Sequence, residues 1–313
     1  MLMDSRYQIF IQVVQEKSFT RAAEILGYSQ SAVSQAVRSL EKELGTALIE
    51  RSREGISLTE DGKEYLPYLR SIIAGEEALQ AKQREMTGLT DCVIRIGTFT
   101  SVSRNLLPPL MRSFRKEYPL VRFELLQGEY DSITADILSG RLDFGFVNPE
   151  FVSGLETEAI YSDTMMAVLP LSEPLAEKKS VSLKQLAKLP YILLDEGEHS
   201  VAMKAFQNLS LKPDIRFKVT DDYSILTMIR QNMGYSIMYR LTLAGFSEGV
   251  AVLSIEEPVK RTIAMGWRNY ETLPLAARKF IEHIRTHAPE VLSHLEESGV
   301  NPRCFRQYVK ALH

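Results

Sequence analysis

The sequence predicts an α/β protein in three parts: an N-terminal winged helix-turn-helix, a long linker helix, and a two-lobed α/β domain. Three observations predict it. Residues 18–45, "SFTRAAEILGYSQSAVSQAVRSLEKELG", hold two apolar patterns of helical spacing, with a glycine near the end of each. Residues 60–88 then repeat apolar positions by four and three, as one continuous helix would. From Cys92 onward, short apolar runs alternate with helical stretches, the order of an open, mostly parallel sheet with helices on both faces.

A first helix shows an apolar face at Tyr7, Phe10, Ile11 and Val14 and stops before Ser18. The second turns Ala22, Ala23 and Leu26 inward and ends at Gly27, a left-handed C-cap. Ser29 is the N-cap of the third, which buries Val33, Val37, Leu40 and Leu44 and closes at Gly45. Its opposite face carries Ser31, Ser34, Gln35 and Arg38, led in by Ser29 and Gln30, instead of the usual Lys and Glu. In a helix-turn-helix the start of this second motif helix enters the major groove. Gln can donate and accept at an adenine edge, Ser suits base or phosphate, and Arg reaches guanine or phosphate. Next, Leu48, Ile49, Ile56 and Leu58 flank Arg51, Arg53 and Gly55, giving a hairpin with a basic tip, the wing.

The linker helix carries a heptad seam of Tyr65, Leu69, Ile72, Glu76, Leu79, Gln83 and Met86, narrow enough for self-pairing as a dimer. Pro67 falls in its first turns. Beyond it, "VIRIGTF", a helix from Leu106 to Glu117, "VRFELLQ", a helix from Ser132 to Ser139 and "LDFGFV" make βαβαβ. A second block runs from "MMAVLP" through "YILLD" and "IRFKV" to "YSIMY". The strand "RTIAMGW" and a helix from Pro274 to His287 return to the first. Such lobes leave a cleft at the carboxyl ends of their strands. Thr98, Thr100, Ser101 and Ser103 fall at a strand-to-helix turn facing it, suited to an anion, with Ser101 either a ligand-facing hydroxyl or an N-cap. Glu129, Tyr130 and Asp131 end another strand. Asp195, Glu196, Glu198 and His199 stand opposite, so a zwitterion, polyol or cation suits the cleft better than a plain aromatic acid.

The stretch "F-TRAAEILGYSQSAVSQAVRSLEKELGTALIERS" followed by "LTEDGKEYL", with the spacing between its pieces, resembles the LysR-type transcriptional regulators. That resemblance implies a dimerising linker helix and an effector domain like the periplasmic solute-binding fold, whose cleft takes a small molecule. It places Gln30, Ser31, Ser34 and Gln35 at base- or phosphate-contacting positions and Arg53 in the wing. Many members carry Arg where this chain has Gln35, and Gln leans toward adenine. The expected DNA-binding set is Thr20, Arg21, Ser29, Gln30, Ser31, Ser34, Gln35, Arg38, Arg51 and Arg53, in a helix-turn-helix of about 19–38. The expected effector set is Thr98, Thr100, Ser101, Ser103, Glu129, Tyr130, Asp195, Glu196 and His199.

The expected domains are 1–60 for DNA binding, 61–90 for the linker and 91–295 for the effector, with 296–313 as an extension. Lobe I takes about 91–162 and 267–295, and lobe II about 163–266. A net charge of −3, with seven basic and eight acidic residues in 1–60, means DNA binding must rest on where charges lie. No apolar run reaches the ~18–20 residues of a membrane span, and no signal peptide is evident. Cys92 and Cys304 lie far apart, which suits a reducing cytoplasm. No Gly-x-Ser-x-Gly elbow, Walker loop or His-Glu-x-x-His is present, so no enzyme and no cofactor is expected. His283 and His287, four apart, lack a third ligand and read as a solvated terminal helix rather than a metal site. A transport-associated solute receptor would need a signal peptide and no helix-turn-helix, and an enzyme on the same lobes would need a catalytic constellation. The partners expected are double-stranded DNA, a small-molecule effector and a second copy, as homodimer and then tetramer, with RNA polymerase a further candidate and no membrane.

Overall fold

A computed structural model describes residues 5–52, 55–85, 92–197 and 199–297. The chain divides into two compact units, Met1–Gly88 with Ala135–Leu142, and Leu89–Thr134 with Asp143–His313.

The first unit opens with α1 (Arg6–Glu16), α2 (Phe19–Leu26) and α3 (Gln30–Leu44). Ser5, Ser18 and Ser29 each cap the helix that follows by accepting from its third backbone N–H. Gly27 and Gly45 end α2 and α3 in the left-handed region, as the sequence predicts. Phe10, Val13, Ala22, Val33, Val37, Leu40 and Leu48 form one buried core. Strands β1 (Ile49–Ser52) and β2 (Gly55–Leu58) pair antiparallel as the hairpin. The Glu41 carboxylate of α3 accepts from the backbone N–H of Leu48 and Ile49 at 2.9 and 3.1 Å, which ties the hairpin to the helix.

Helix α4 (Glu60–Glu85) runs through Pro67 without ending. Thr59 caps it, donating to the Ala47 carbonyl and accepting from the Gly62 amide. Leu69, expected in the dimer seam, is instead buried in the N-terminal core, because its turn of α4 packs on α1. The seam residues left exposed are Ile72 and Leu79, at 41% and 72%. Met86 lies outside the described residues.

The second unit builds its first lobe from β3 (Val93–Thr98), α5 (Leu107–Glu117), β4 (Arg122–Gln127), the start of α6 (Tyr130–Leu138, whose residues from Ala135 on group with the first unit) and β5 (Phe144–Val147). A π-helical turn, Val102–Leu106, leads into α5. The chain then crosses on the long β6 (Glu156–Pro170) into the second lobe: β7 (Ser180–Val181), α7 (Leu183–Leu186), β8 (Pro190–Leu194), α8 (Val201–Asn208), β9 (Asp214–Val219), α9 (Asp222–Arg230), β10 (Ser236–Tyr239), α10 (Arg240–Leu243) and β11 (Val250–Ile255). It returns on β12 (Lys260–Trp267) and closes with α11 (Leu275–Glu297).

The main sheet runs β4-β3-β5-β12-β6-β11-β7, with β10 also on β6 and β8-β9 as a separate pair. The sheet is mixed, not mostly parallel as expected, because both crossing strands run against their neighbours: β12 is antiparallel to β5 and to β6, and β6 to β10 and β11. Strand β12 pairs with first-lobe strand β5 over Ala264, Met265 and Gly266. The helix expected to stop at His287 continues to Glu297 through Pro289, burying Val291, Leu292 and Leu295 on the first lobe. His283 is buried rather than solvated, its Nε2 hydrogen-bonded to the Ser113 hydroxyl at 2.7 Å, because this face of α11 packs on α5. Among the described residues no group of His, Cys, Asp and Glu could hold a metal ion, and no helix is long and apolar enough to cross a membrane.

Gly62 shows how tightly the first unit is built. A Cβ there would stand 2.1 Å from the Leu48 carbonyl oxygen, a backbone atom that cannot swing away. Gly62→Ala should cost about 1–3 kcal/mol, the usual cost of overpacking. Denaturant unfolding followed by a probe in the first unit measures it, and an unchanged midpoint would show that α4 and the hairpin can part without cost.

Candidate functional site

Two places gather polar side chains that packing alone does not require. The first is the outer face of α3. Gln30, Ser31, Gln35 and Arg38 are exposed there. Ser29 accepts from the Ala32 amide at 3.2 Å, and its hydroxyl meets that of Ser31 at 2.9 Å, so the serines at the helix start are held in place. Ser34, expected on this face, is buried at 9%, since it falls beside Val33 at the edge of the apolar stripe. Thr20 and Arg21 are exposed at the start of α2, and the Arg21 guanidinium pairs with Glu16 at 3.1 Å. Arg51 sits on β1 with its backbone opposite Ile56, while Arg53 lies outside the described residues.

The second place lies between the lobes, and its centre is Arg261 on β12, only 4% exposed. Its Nη2 donates to Asp163 Oδ2 at 2.8 Å and to Ser101 Oγ at 2.6 Å, and its Nη1 to the Tyr130 hydroxyl at 3.4 Å. The guanidinium carbon stands 3.5 Å from the ring centre of Tyr239 and 4.5 Å from that of Phe99. Asp163, on β6, also accepts from the Leu241 amide, whose carbonyl takes the Asn105 amide at 2.6 Å. One buried ion pair on the two crossing strands thus joins side chains of both lobes.

Carboxylates surround this centre. Burial pushes Glu196 up to about 7, against the pull of Arg261, and the Tyr239 hydroxyl donates to it at 3.4 Å. Burial likewise raises Asp222 to about 6. Glu129 is raised by desolvation and then by Asp195. Burial raises Asp163 too, with Arg261 and the Leu241 amide opposing. Burial works against the charge on Arg261, but Tyr130 and Asp163 hold it above its ordinary value. Further out, His199 stacks on Phe151 at 4.8 Å and meets Asp131 at 3.3 Å, and Lys204 pairs with Glu150. Arg104, on the π-helical turn, lies over the rings of Phe246 and Tyr223 at 3.8 and 4.2 Å.

Of the expected effector residues, Ser101 and Tyr130 hydrogen-bond Arg261, Glu196 accepts from Tyr239 beside it, Glu129 feels both Asp195 and Arg261, and His199 meets Asp131 further out. Ser101 is not an N-cap: its backbone is helical (φ −65°, ψ −36°), it makes no cap hydrogen bond, and its hydroxyl accepts from Arg261. Thr98 is a correction. It is fully buried, and its hydroxyl bonds the Phe99 carbonyl, because the last residue of β3 faces the core. Thr100 and Ser103 are bridged by the Gln127 amide at 3.2 and 3.5 Å. Glu198 lies outside the described residues. Sequence reasoning missed Arg261, Asp163, Tyr239, Asp222, Phe99 and Arg104. Two had a signal: an aspartate and an arginine inside the otherwise apolar runs "SDTMMAVLP" and "RTIAMGW".

Residues 88–289 match the family described as "LysR substrate binding domain", and residues 5–63 the family described as "Bacterial regulatory helix-turn-helix protein, lysR family". The chain is 29% identical over 283 residues to the uncharacterized HTH-type transcriptional regulator YvbU of Bacillus subtilis, covering 89% of this chain and 96% of that one. Among solved structures it resembles HinK, a LysR family transcriptional regulator from Pseudomonas aeruginosa, at 26% identity and a TM-score of 0.58, over 90% of this chain and 97% of that one. It shares the fold of full-length CbnR in complex with its target DNA at 23% identity and a TM-score of 0.64, over 90% of this chain and 98% of that one.

The carboxylates make stability depend on pH. A folded-state value of about 7 for Glu196 lies above the ~4.3 of an unfolded Glu, so the folded state holds a proton that the unfolded chain has lost. Its contribution is full below about pH 4 and is lost as pH rises through 7. Glu196→Gln cannot titrate, so its melting temperature should gain on wild type between pH 5 and 8. Parallel melting curves across that range would show that Glu196 is not buried as described.

Proposed function

The chain belongs to the LysR family of transcriptional regulators, and from that premise we propose that α3 and the hairpin contact operator DNA and that the Arg261 centre between the lobes is the effector site. One observation carries the first half: a helix of the helix-turn-helix exposes Gln30, Ser31, Gln35 and Arg38 on one face, with one cation and three groups able to read or brace. Thr20, Arg21 and Ser29 lie beside that face and, with Arg51 and Arg53 of the wing sequence, serve phosphate contact. The cytoplasm is the working compartment of such a protein. The domains of this reading are DNA binding over 1–60, the linker helix over 61–90, the effector domain over 91–295 and an extension over 296–313.

The linker helix pairs with that of a second copy. Ile72 and Leu79 on one stripe of α4 are large apolar groups left in water, and covering each fully is worth about 1.5–3 kcal/mol. Two such dimers make the tetramer. Effector binding then works by population shift: the lobes favour one arrangement with the ligand and another without, and the bend of the bound operator follows.

Gln35→Ala should relax base choice at one position of each half-site while changing affinity for random DNA little. Quantitative binding to a selected operator and to scrambled DNA tests this; equal losses on both would remove Gln35 from base readout. Leu79→Lys should place like charges against each other in the dimer contact. Sedimentation should then show monomers whose effector domain is still folded, whereas an intact dimer would move the interface off α4.

A further inference from the structure

We infer that the effector is a small molecule carrying a protonated amine, held between the carboxylates of Asp222 and Glu196 beside the rings of Tyr130 and Tyr239. This rests on the reading that the Arg261 centre is the effector site. Four observations carry it.

Two guanidinium groups of the region already meet other side chains of the protein. Arg261 is paired with Asp163 and bonded to Ser101, and Arg104 is stacked on Phe246 and Tyr223, although its Nη1 is buried without a hydrogen-bond partner. Among the described residues, the acids around them, Glu129, Asp195, Glu196 and Asp222, have no ion-pair partner within 4 Å. Excess charge here is negative.

Asp222 is 6% exposed, yet its Oδ1 has no hydrogen-bond partner. It directly precedes Tyr223, whose ring lies 4.2 Å from the Arg104 guanidinium on the turn led in by Ser101, the residue bonded to Arg261, and that places it at the same polar centre. A buried carboxylate oxygen without a donor is costly, and a ligand N–H satisfies it.

The cation that fits is organic. Among the described residues no three of His, Cys, Asp and Glu are grouped so as to hold a metal ion. An ammonium with three donors on a short carbon chain can reach separated acceptors. The rings of Tyr239 and Phe99 already serve a cation in this chain, through Arg261. Arg261 Nε–H, also buried and unpartnered, offers one donor to an oxygen elsewhere on the same ligand.

A matched four-carbon series tests the class: putrescine, γ-aminobutyrate, butane-1,4-diol and succinate, titrated calorimetrically into the full-length protein at pH 7.5. The amines should bind at least tenfold more tightly than the diol and succinate. Asp222→Asn and Glu196→Gln should each weaken amine binding about tenfold or more, as expected when a charged hydrogen bond is lost. If succinate or the diol binds best and Ser101→Ala removes that binding, the site stands and the amine is overturned. If an amine binds unchanged to both carboxylate variants, it binds elsewhere, and site and class both fail. If none of the four binds, the ligand-free melting temperature at pH 8 decides. Carboxylates built for a ligand cation should release repulsion when neutralised, so each variant should melt about 2–4 °C higher. Lower melting in both would make them structural partners of Arg104 and Arg261 and overturn the proposal.

Discussion

The second unit turns on a buried charge that has to be neutralised where its lobes meet. Arg261 and Asp163 lie on the two crossing strands, almost without solvent contact. Taking both ions out of water costs several kcal/mol each, so the pair holds only with good geometry and with its remaining donors and acceptors satisfied. Ser101 and Tyr130 meet that demand from the first lobe, and the Leu241 amide meets it from the second. Two apolar residues at these positions would hold the strands together at least as well. What the ion pair adds is specificity: it fixes where Ser101, Tyr130 and Tyr239 stand, and any molecule entering between the lobes meets a polar surface already in place.

The same economy shapes the first unit. Its core is small, so α3 must bury Val33, Val37 and Leu40 on one side while leaving Gln30, Ser31, Gln35 and Arg38 exposed on the other. Serine caps on three successive helices and Glu41 bonded to the hairpin backbone set the angles between elements, which apolar contact alone would leave loose. Stability in this unit comes from one face and recognition from the other.

Much of this was legible in the sequence because it is local. Caps at Ser29 and Gly45, the hairpin around Gly55, and strands such as "VIRIGT" depend on spacing and on residues within one turn. What stayed hidden depends on tertiary neighbours. Leu69 has the right heptad spacing, but the core of its own unit claims it. Ser34 is polar, yet a small hydroxyl beside Val33 can be covered. The first half of β6, "ETEAIYSD", mixes polar and apolar residues without a clean period. Ser101 and Tyr130, two of the expected effector residues, both reach Arg261 because strand ends are readable. Their organiser, Arg261, sits inside a strand that reads as core, where sequence shows only that one arginine is out of place. Asp222 looks like an ordinary acidic residue in the first turn of a helix, favourable to the helix dipole, and only burial reveals its unsatisfied oxygen.

The account holds that the arrangement around Arg261 governs how the operator is bound. Arg261→Lys tests it most directly, because a lysine keeps the charge opposite Asp163 but loses the fork that reaches Ser101 and Tyr130. The measurement is a hydroxyl-radical footprint of the full-length variant and wild type on the same selected operator, with folding checked by melting. The account predicts that a folded variant protects the same half-sites but changes the spacing or the enhanced cleavage between them, the mark of an altered bend. A folded variant whose footprint matches wild type throughout would contradict it.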